Sequence, residues 1–259
     1  YTGPLKQGRP LPDALQLHGE EGYLEYQNKH PYLFRCRQVS GLFHDFEHEM
    51  VELNDFCFLI QESLKHYSYQ PNLEIDTNPA NFDTREEFDQ AQYEAGVLYS
   101  ADYNPALVGE FYFPASTITL LYFQIISFLR SIAKILNGGD FRARSNATKD
   151  KLSLKNGGKT PPEIDVLVEM IDSGLGVKTH VFDIPEIEKL VRNKLRQVRN
   201  DYAHGDWVAL KSTLKGVNLA KAFWAVSRML ELLDELYEEW ERNQQDPEAL
   251  QAFLENGSD

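Results

Sequence analysis

LAKAFWAVSRMLELLDELYEEW, residues 219–240, decides the fold class. Its apolar positions are Leu219, Phe223, Val226, Leu230, Leu233, Tyr237 and Trp240. Steps of four and three residues alternate without a break, the spacing of a single stripe along an α-helix; a pleated strand would repeat every second residue. The stripe is narrow, like the seam of a helix packed lengthwise against others. The other face carries Glu231, Asp234, Glu235, Glu238, Glu239 and Glu241 and reads as the solvated side. Residues 38–67 repeat the pattern with Phe43, Phe46, Met50, Leu53, Cys57, Ile60, Leu64 and Tyr67. Two long amphipathic helices therefore lie in opposite halves of the chain.

Between them the sequence predicts further helices. Residues 84–99 start at Thr84, with Glu87 three positions on, the spacing of a capping box. Residues 111–129 contain no charge at all. That run is near the lower length limit for a bilayer span, but Pro114, Ser116, Thr117, Thr119, Gln124 and Ser127 interrupt its apolar character, and a buried helix over 115–136 is the reading adopted. Pro114 would open it and Asn137-Gly138-Gly139 would close it. A shorter helix over 161–171 is expected to end at Ser173-Gly174, and another over 187–203 carries the stripe Val191, Leu195, Val198 and Tyr202. Residues 68–82, rich in Pro and Asn, read as a connector. Residues 137–160 read as a loop, with Arg142, Arg144, Lys149, Lys151, Lys155 and Lys159 making it either a basic arm or a solvated insertion. Only 177–182 is β-like, and one strand makes no sheet. The expected class is all-α: a helical bundle over 113–259, with an additional N-terminal helical region over 1–112 that either stands apart or joins the same bundle.

The formal net charge of −14 argues against broad, nonspecific affinity for nucleic acid. The charge is uneven. Residues 130–215 hold 16 Lys+Arg against 11 Asp+Glu, a net of +5, and the remainder holds 10 against 29, a net of −19. The two cysteines, Cys36 and Cys57, offer neither a disulfide framework nor a CxxC pair, which fits a reducing, cytoplasmic setting. Residues 1–12 lack the apolar core of a signal peptide. Glycine-rich phosphate loops and a GxSxG elbow are absent. His44 and His48 stand four apart with acids nearby, but no HExxH and no convincing third ligand accompany them, so they read as the flank of the first long helix. No metal or other cofactor is expected.

One segment carries chemistry: Arg199-Asn200-Asp201-Tyr202-Ala203-His204, followed by Gly205. Metal-free RNA cleavage needs a fixed cation to hold a phosphate and an imidazole to move a proton, and Arg199 and His204 supply both. Asn200 offers an amide to orient either. Gly205 is suited to end the helix, which places His204 at a helix C-terminus where the dipole favours positive charge. Tyr202 falls on the apolar stripe, and Asp201 is expected to pair with a neighbouring arginine. On the same helix Arg192, Lys194 and Arg196 lie away from the stripe as candidate RNA-binding residues. Arg199 and His204 are five residues apart, about 140° around an ideal helix. They share a site only if the helix loosens between them or a second copy supplies the missing half.

This RN-x-x-A-H-G segment, late in an all-helical chain and before a long amphipathic helix, resembles the R-x4-6-H signature of the HEPN superfamily, over roughly residues 115–243. The resemblance implies a homodimer with the two motifs in one composite cleft. It also implies metal-independent endoribonuclease activity by 2′-hydroxyl transesterification. Arg199, Asn200 and His204 would be the catalytic residues and RNA the substrate. A toxin–antitoxin or anti-phage role would go with it, with an antitoxin or other regulatory protein as a further partner. In one toxin branch a tyrosine stands two residues after the histidine; here that position is Asp206, followed by Trp207. The rival reading is a non-catalytic HEPN-derived scaffold, or a module that binds nucleotide or RNA. A His204 buried against its own bundle would favour that rival.

Overall fold

The computed structural model describes residues 32–37, 41–67, 81, 84–91, 108–215 and 217–245. Among them the regular elements are all helical. Helix α1 spans Leu42–Tyr67; a π-helical turn, Val108–Tyr112, leads into α2, Phe113–Asn137. Then follow α3 (Phe141–Lys155), α4 (Glu163–Leu175) and a 3-10 turn (Val181–Asp183). A short α5 (Pro185–Ile187) continues through a π-helical stretch (Glu188–Leu195) into α6 (Arg196–Ala203). The chain ends its described part with α7 (Trp207–Leu214) and α8 (Leu219–Gln245).

Helix α2 is the axis of the fold. It packs against α1, α4 and α6, and Ile118, Leu121, Ile125, Leu129 and Ile132 are all essentially inaccessible. Burying each such side chain is worth about 1.5–3 kcal/mol. A surface ion pair such as Arg130–Glu163 is worth about 0–1 kcal/mol, so apolar burial decides the position of this helix. By length and composition α2 is the one described helix that passes as a membrane span, yet 14 of its 25 residues are buried among other helices. Pro114 stands in its first turn and Gly138 follows its end, as the sequence suggested. The stripes of the two long helices also lie inward: Phe43, Phe46, Met50, Leu53 and Cys57 of α1 and Phe223, Val226, Leu230 and Leu233 of α8 are buried in one core with α2. That core crosses the 112/113 boundary between the two expected regions. Thr84 and Glu87 form the reciprocal capping bonds, Glu87 N–H to Thr84 Oγ1 at 3.1 Å and Thr84 N–H to Glu87 carboxylate at 3.2 Å. Cys36 and Cys57 are free thiols, and burial pushes Cys57 up to about 12.

Several expectations are corrected. The basic stretch 137–160 is not a loop: α3 occupies most of it, capped by Asp140, which accepts from Ala143 N–H at 3.0 Å. No residue of α3 is buried, so it has no apolar stripe to reveal it. It rests on α4 through the Lys151–Glu169 ion pair at 2.7 Å. The β-like 177–182 forms no strand and leads into the 3-10 turn. Helix α4 runs past Ser173-Gly174 to Leu175. Gly174 serves packing instead: a Cβ there would lie 2.5 Å from the Leu136 Cβ. Asp234, expected on the solvated face of α8, is buried. Its Oδ2 accepts the Arg37 N–H at 3.1 Å, its Oδ1 has no hydrogen-bond partner, and burial lifts its pKa to about 6. The connector 68–80, residues 92–99 of the charged helix and the chain before residue 32 lie outside the described residues.

Two predictions follow from this packing. Glycine to alanine inside a helix ordinarily stabilises by up to about 1 kcal/mol; Gly174→Ala will instead lose about 1–3 kcal/mol in urea denaturation, because α2 and α4 must separate. The raised Asp234 pKa means that its favourable contribution is complete below about 4 and is lost as pH rises through about 6. Asp234→Asn will therefore gain on the wild type by about 2 kcal/mol between pH 4 and pH 8, read from denaturation midpoints across that range.

Candidate functional site

The candidate site lies where α6 ends. Helix α6 remains regular through Ala203, and His204 still has helical dihedrals, its N–H bonded to the Asn200 carbonyl at 3.0 Å. The reversal comes one residue later. Gly205 takes φ 67°, its N–H reaches the Tyr202 carbonyl at 3.2 Å, and the Asp206 N–H reaches the Asp201 carbonyl at 2.9 Å. This paired closure is the Schellman motif, which favours glycine at its left-handed position. Asp206 then caps α7 by accepting from Ala209 N–H at 3.0 Å. The residue that departs from the toxin-branch pattern thus has a structural task. The long helix expected after the motif is α8, and the short α7 stands between the two.

Buried Asp201 ties this turn together. It accepts from Gln197 Nε2 at 2.6 Å and from Thr213 Oγ1 at 2.8 Å, joining α6 to the end of α7. The expected partner was an arginine; a glutamine and a threonine take that place. Lys194 reinforces the joint by donating to the Thr213 carbonyl at 2.9 Å, a cation at a helix C-terminus. Tyr202 packs on the core, as its stripe position indicated.

The basic residues then separate into two groups. Arg192 is committed: its Nε and Nη2 meet the two Asp165 oxygens at 2.8 and 2.9 Å, and Nη1 meets Glu188 at 3.2 Å. Its guanidinium also lies over Phe182, 5.3 Å from the ring centre. Together with the anchored Lys194, it belongs to the scaffold of the site. Arg196 and Arg199 differ. Each is half-buried, each has a buried Nε with no hydrogen-bond partner, and neither has a carboxylate partner among the described residues. Arg199 lies over Phe123 of α2, 5.2 Å from the ring centre, and donates to Asn200 Oδ1 at 2.9 Å. Both arginines act on the buried Tyr122 phenol: burial pushes it up to about 12 against the pull of the two guanidinium charges. The acids that act on that phenol, Glu163 and Asp165, are held by Arg130 and Arg192. Two partly desolvated cations thus remain uncompensated three residues apart, an arrangement whose cost an anion would relieve.

His204 is exposed and therefore open to a ligand or a second chain. Because α6 does not loosen between Arg199 and His204, the two project about 140° apart within one chain. Arg199 and Asn200 are directly bonded; His204 is not brought onto them. His44 and His48 contact each other edge to face on α1, and no group suited to holding a metal occurs among the described residues. The pairing of Arg196 with Arg199, and the aromatic ring beneath the latter, were not singled out in the sequence; their three-residue spacing beside the stripe was the available signal. The chain matches no family model, no curated protein and no solved structure.

The two groups of polar residues separate in a stability experiment. Asp201→Ala will lose about 2 kcal/mol, because it strips a buried acceptor from two donors. Arg196→Met will be neutral or stabilising, since it removes a partly buried charge without a partner. Chemical denaturation of both variants beside the wild type is the measurement.

Proposed function

We propose that this chain is a metal-independent endoribonuclease of the HEPN type, acting as a homodimer. The observation that carries this reading is the uncompensated pair Arg196 and Arg199, with Asn200 bonded to Arg199 and an exposed imidazole at the same helix end. Planar guanidinium groups without carboxylate partners suit phosphate oxygens. His204 is not packed into its own bundle, which favours the enzyme over a scaffold. The regular helix up to Ala203 favours completion of the site by a second copy over rearrangement within one chain. The half-exposed Leu120 and Phe123 of α2, the latter beneath Arg199, give such a copy an apolar surface to meet.

In this mechanism a ribose 2′-oxygen attacks the adjacent phosphorus while the bond from phosphorus to the 5′-oxygen breaks. One His204 takes the 2′-hydroxyl proton and the other protonates the departing 5′-oxygen. Arg199 and Arg196 stabilise charge on the phosphoryl oxygens, and Asn200 holds Arg199 in position. The products are a 2′,3′-cyclic phosphate and a 5′-hydroxyl, and DNA, lacking the attacking group, is not cut. The resemblance places such an activity in toxin–antitoxin or anti-phage systems, under control of a partner protein.

The test is RNA cleavage in EDTA by the wild type, Arg199→Ala and His204→Ala, with product ends analysed. The expected result is cyclic phosphate ends from the wild type and a loss of about 100-fold or more in each variant. Equal cleavage by His204→Ala, or no cleavage by a folded, dimeric wild type, would overturn the assignment.

A further inference from the structure

We infer that Trp207, braced by Tyr112, is a stacking platform for an unpaired base of the RNA strand, so that the substrate of this site is single-stranded. The inference rests on the ribonuclease reading for the identity of the strand. Trp207 opens α7, three residues after His204, and is 48% exposed. It is nevertheless held firmly. Tyr202, Tyr112 and Phe111 meet it edge to face, with ring centres 6.0, 6.0 and 6.2 Å away. Tyr112 is itself 43% exposed. An indole fixed on several sides and open on the rest loses little freedom when a flat ligand stacks on it.

The surrounding charge selects the ligand. An aromatic group of this kind also suits a quaternary ammonium. Here Tyr202, one wall of the group, lies three residues beyond Arg199 and therefore on its side of α6. The uncompensated guanidinium charges of Arg199 and Arg196 repel a cation and attract a phosphodiester. Asp206, the acid next to Trp207, has its carboxylate turned back onto the Ala209 N–H. Tyr112, at the N-cap of α2, and Phe123 are eleven residues apart, about 16 Å of helix rise. The ring group and the Arg199–Phe123 pair therefore fall within a short length of one strand. A base in a duplex has both faces covered; only an unpaired base stacks on a side chain in this way.

The experiment measures binding of a fluorescein-labelled single-stranded oligoribonucleotide of mixed sequence, by anisotropy, to the full chain carrying His204→Ala so that the strand survives. Adding Trp207→Ala will weaken binding about tenfold or more, whereas Trp207→Phe will stay within about threefold and affinity for duplex RNA will not change. Tyr112→Ala, checked for fold by circular dichroism, gives the same reading if the tryptophan variant is unstable. Unchanged single-strand binding, equal loss for single strand and duplex, or dissociation of a dimer by Trp207→Ala would overturn the platform; the last would make this surface a subunit contact. Cleavage by the wild type is scored separately. Trp207-dependent binding without cleavage sinks the nuclease and keeps the platform, and cleavage with Trp207-independent binding does the reverse.

Discussion

Burial of α2 is the constraint on which the rest of the structure depends. A helix whose first two-thirds contain no charge must be covered on most of its surface, and α1, α4 and α6 provide that cover. Close approach is built into the sequence at Gly174, where α4 meets Leu136 with no room for a side chain. Asn137 fastens the same contact, donating from Nδ2 to the Met170 carbonyl at 2.9 Å. The site is a by-product of this arrangement. Once α6 lies along α2, Val198 and Leu195 face inward, and Arg196 and Arg199 are carried to the edge of the contact beside Tyr122 and Phe123.

The end of α6 is equally determined, but by hydrogen bonding. Gly205 permits the left-handed turn, Asp206 starts the next helix within one residue, and Asp201 ties the second helix back to the first. Loops of such brevity have little freedom, so His204 and Trp207 stand in fixed positions on a tight reversal. A rigid turn that leaves an imidazole and an indole both exposed is costly to maintain for stability alone, because burying the indole would contribute more.

How far the sequence disclosed this differs by element. The stripes of α1 and α8 were legible because their apolar residues recur every three or four positions, and the ends of α2 because Pro114 and Gly138 have unambiguous backbone preferences. Helix α3 was not legible: none of its fifteen residues is fully buried, only Phe141 and Leu152 touch the core, and its sequence signals are the Asp140 cap and the glycines after it. Helix α7 was hidden by its shortness and by the attention that Gly205 draws as a terminator. Asp234 reads as one acid among several on α8, and only the distant Arg37 N–H gives a reason for its burial. In the motif, the helix end and the inward Tyr202 were readable, but which cations are spent and which are left over was not. That depends on Asp165 and Glu163, more than thirty positions from the motif's arginine and placed by tertiary packing.

That last point changes the meaning of the charge asymmetry. The span 130–215 carries a net +5, which suggests a diffuse basic surface. The structure divides it. Arg130, Lys151 and Arg192 are each held by a carboxylate, and Lys194 by a carbonyl. What distinguishes Arg196 and Arg199 is not extra charge but the absence of a carboxylate partner among the described residues, in a partly dry setting. A solvated lysine on α3 attracts an anion weakly and is screened by salt within about 10 Å. A guanidinium already stripped of water on one side has less hydration to lose on binding and is screened less. In a chain of net −14, an anionic ligand overcomes the long-range repulsion only where such local terms are strong. On the proposed reading the acidic body and the two arginines without carboxylate partners act together: one would reject polyanions in general, and the other would admit an anion at one place.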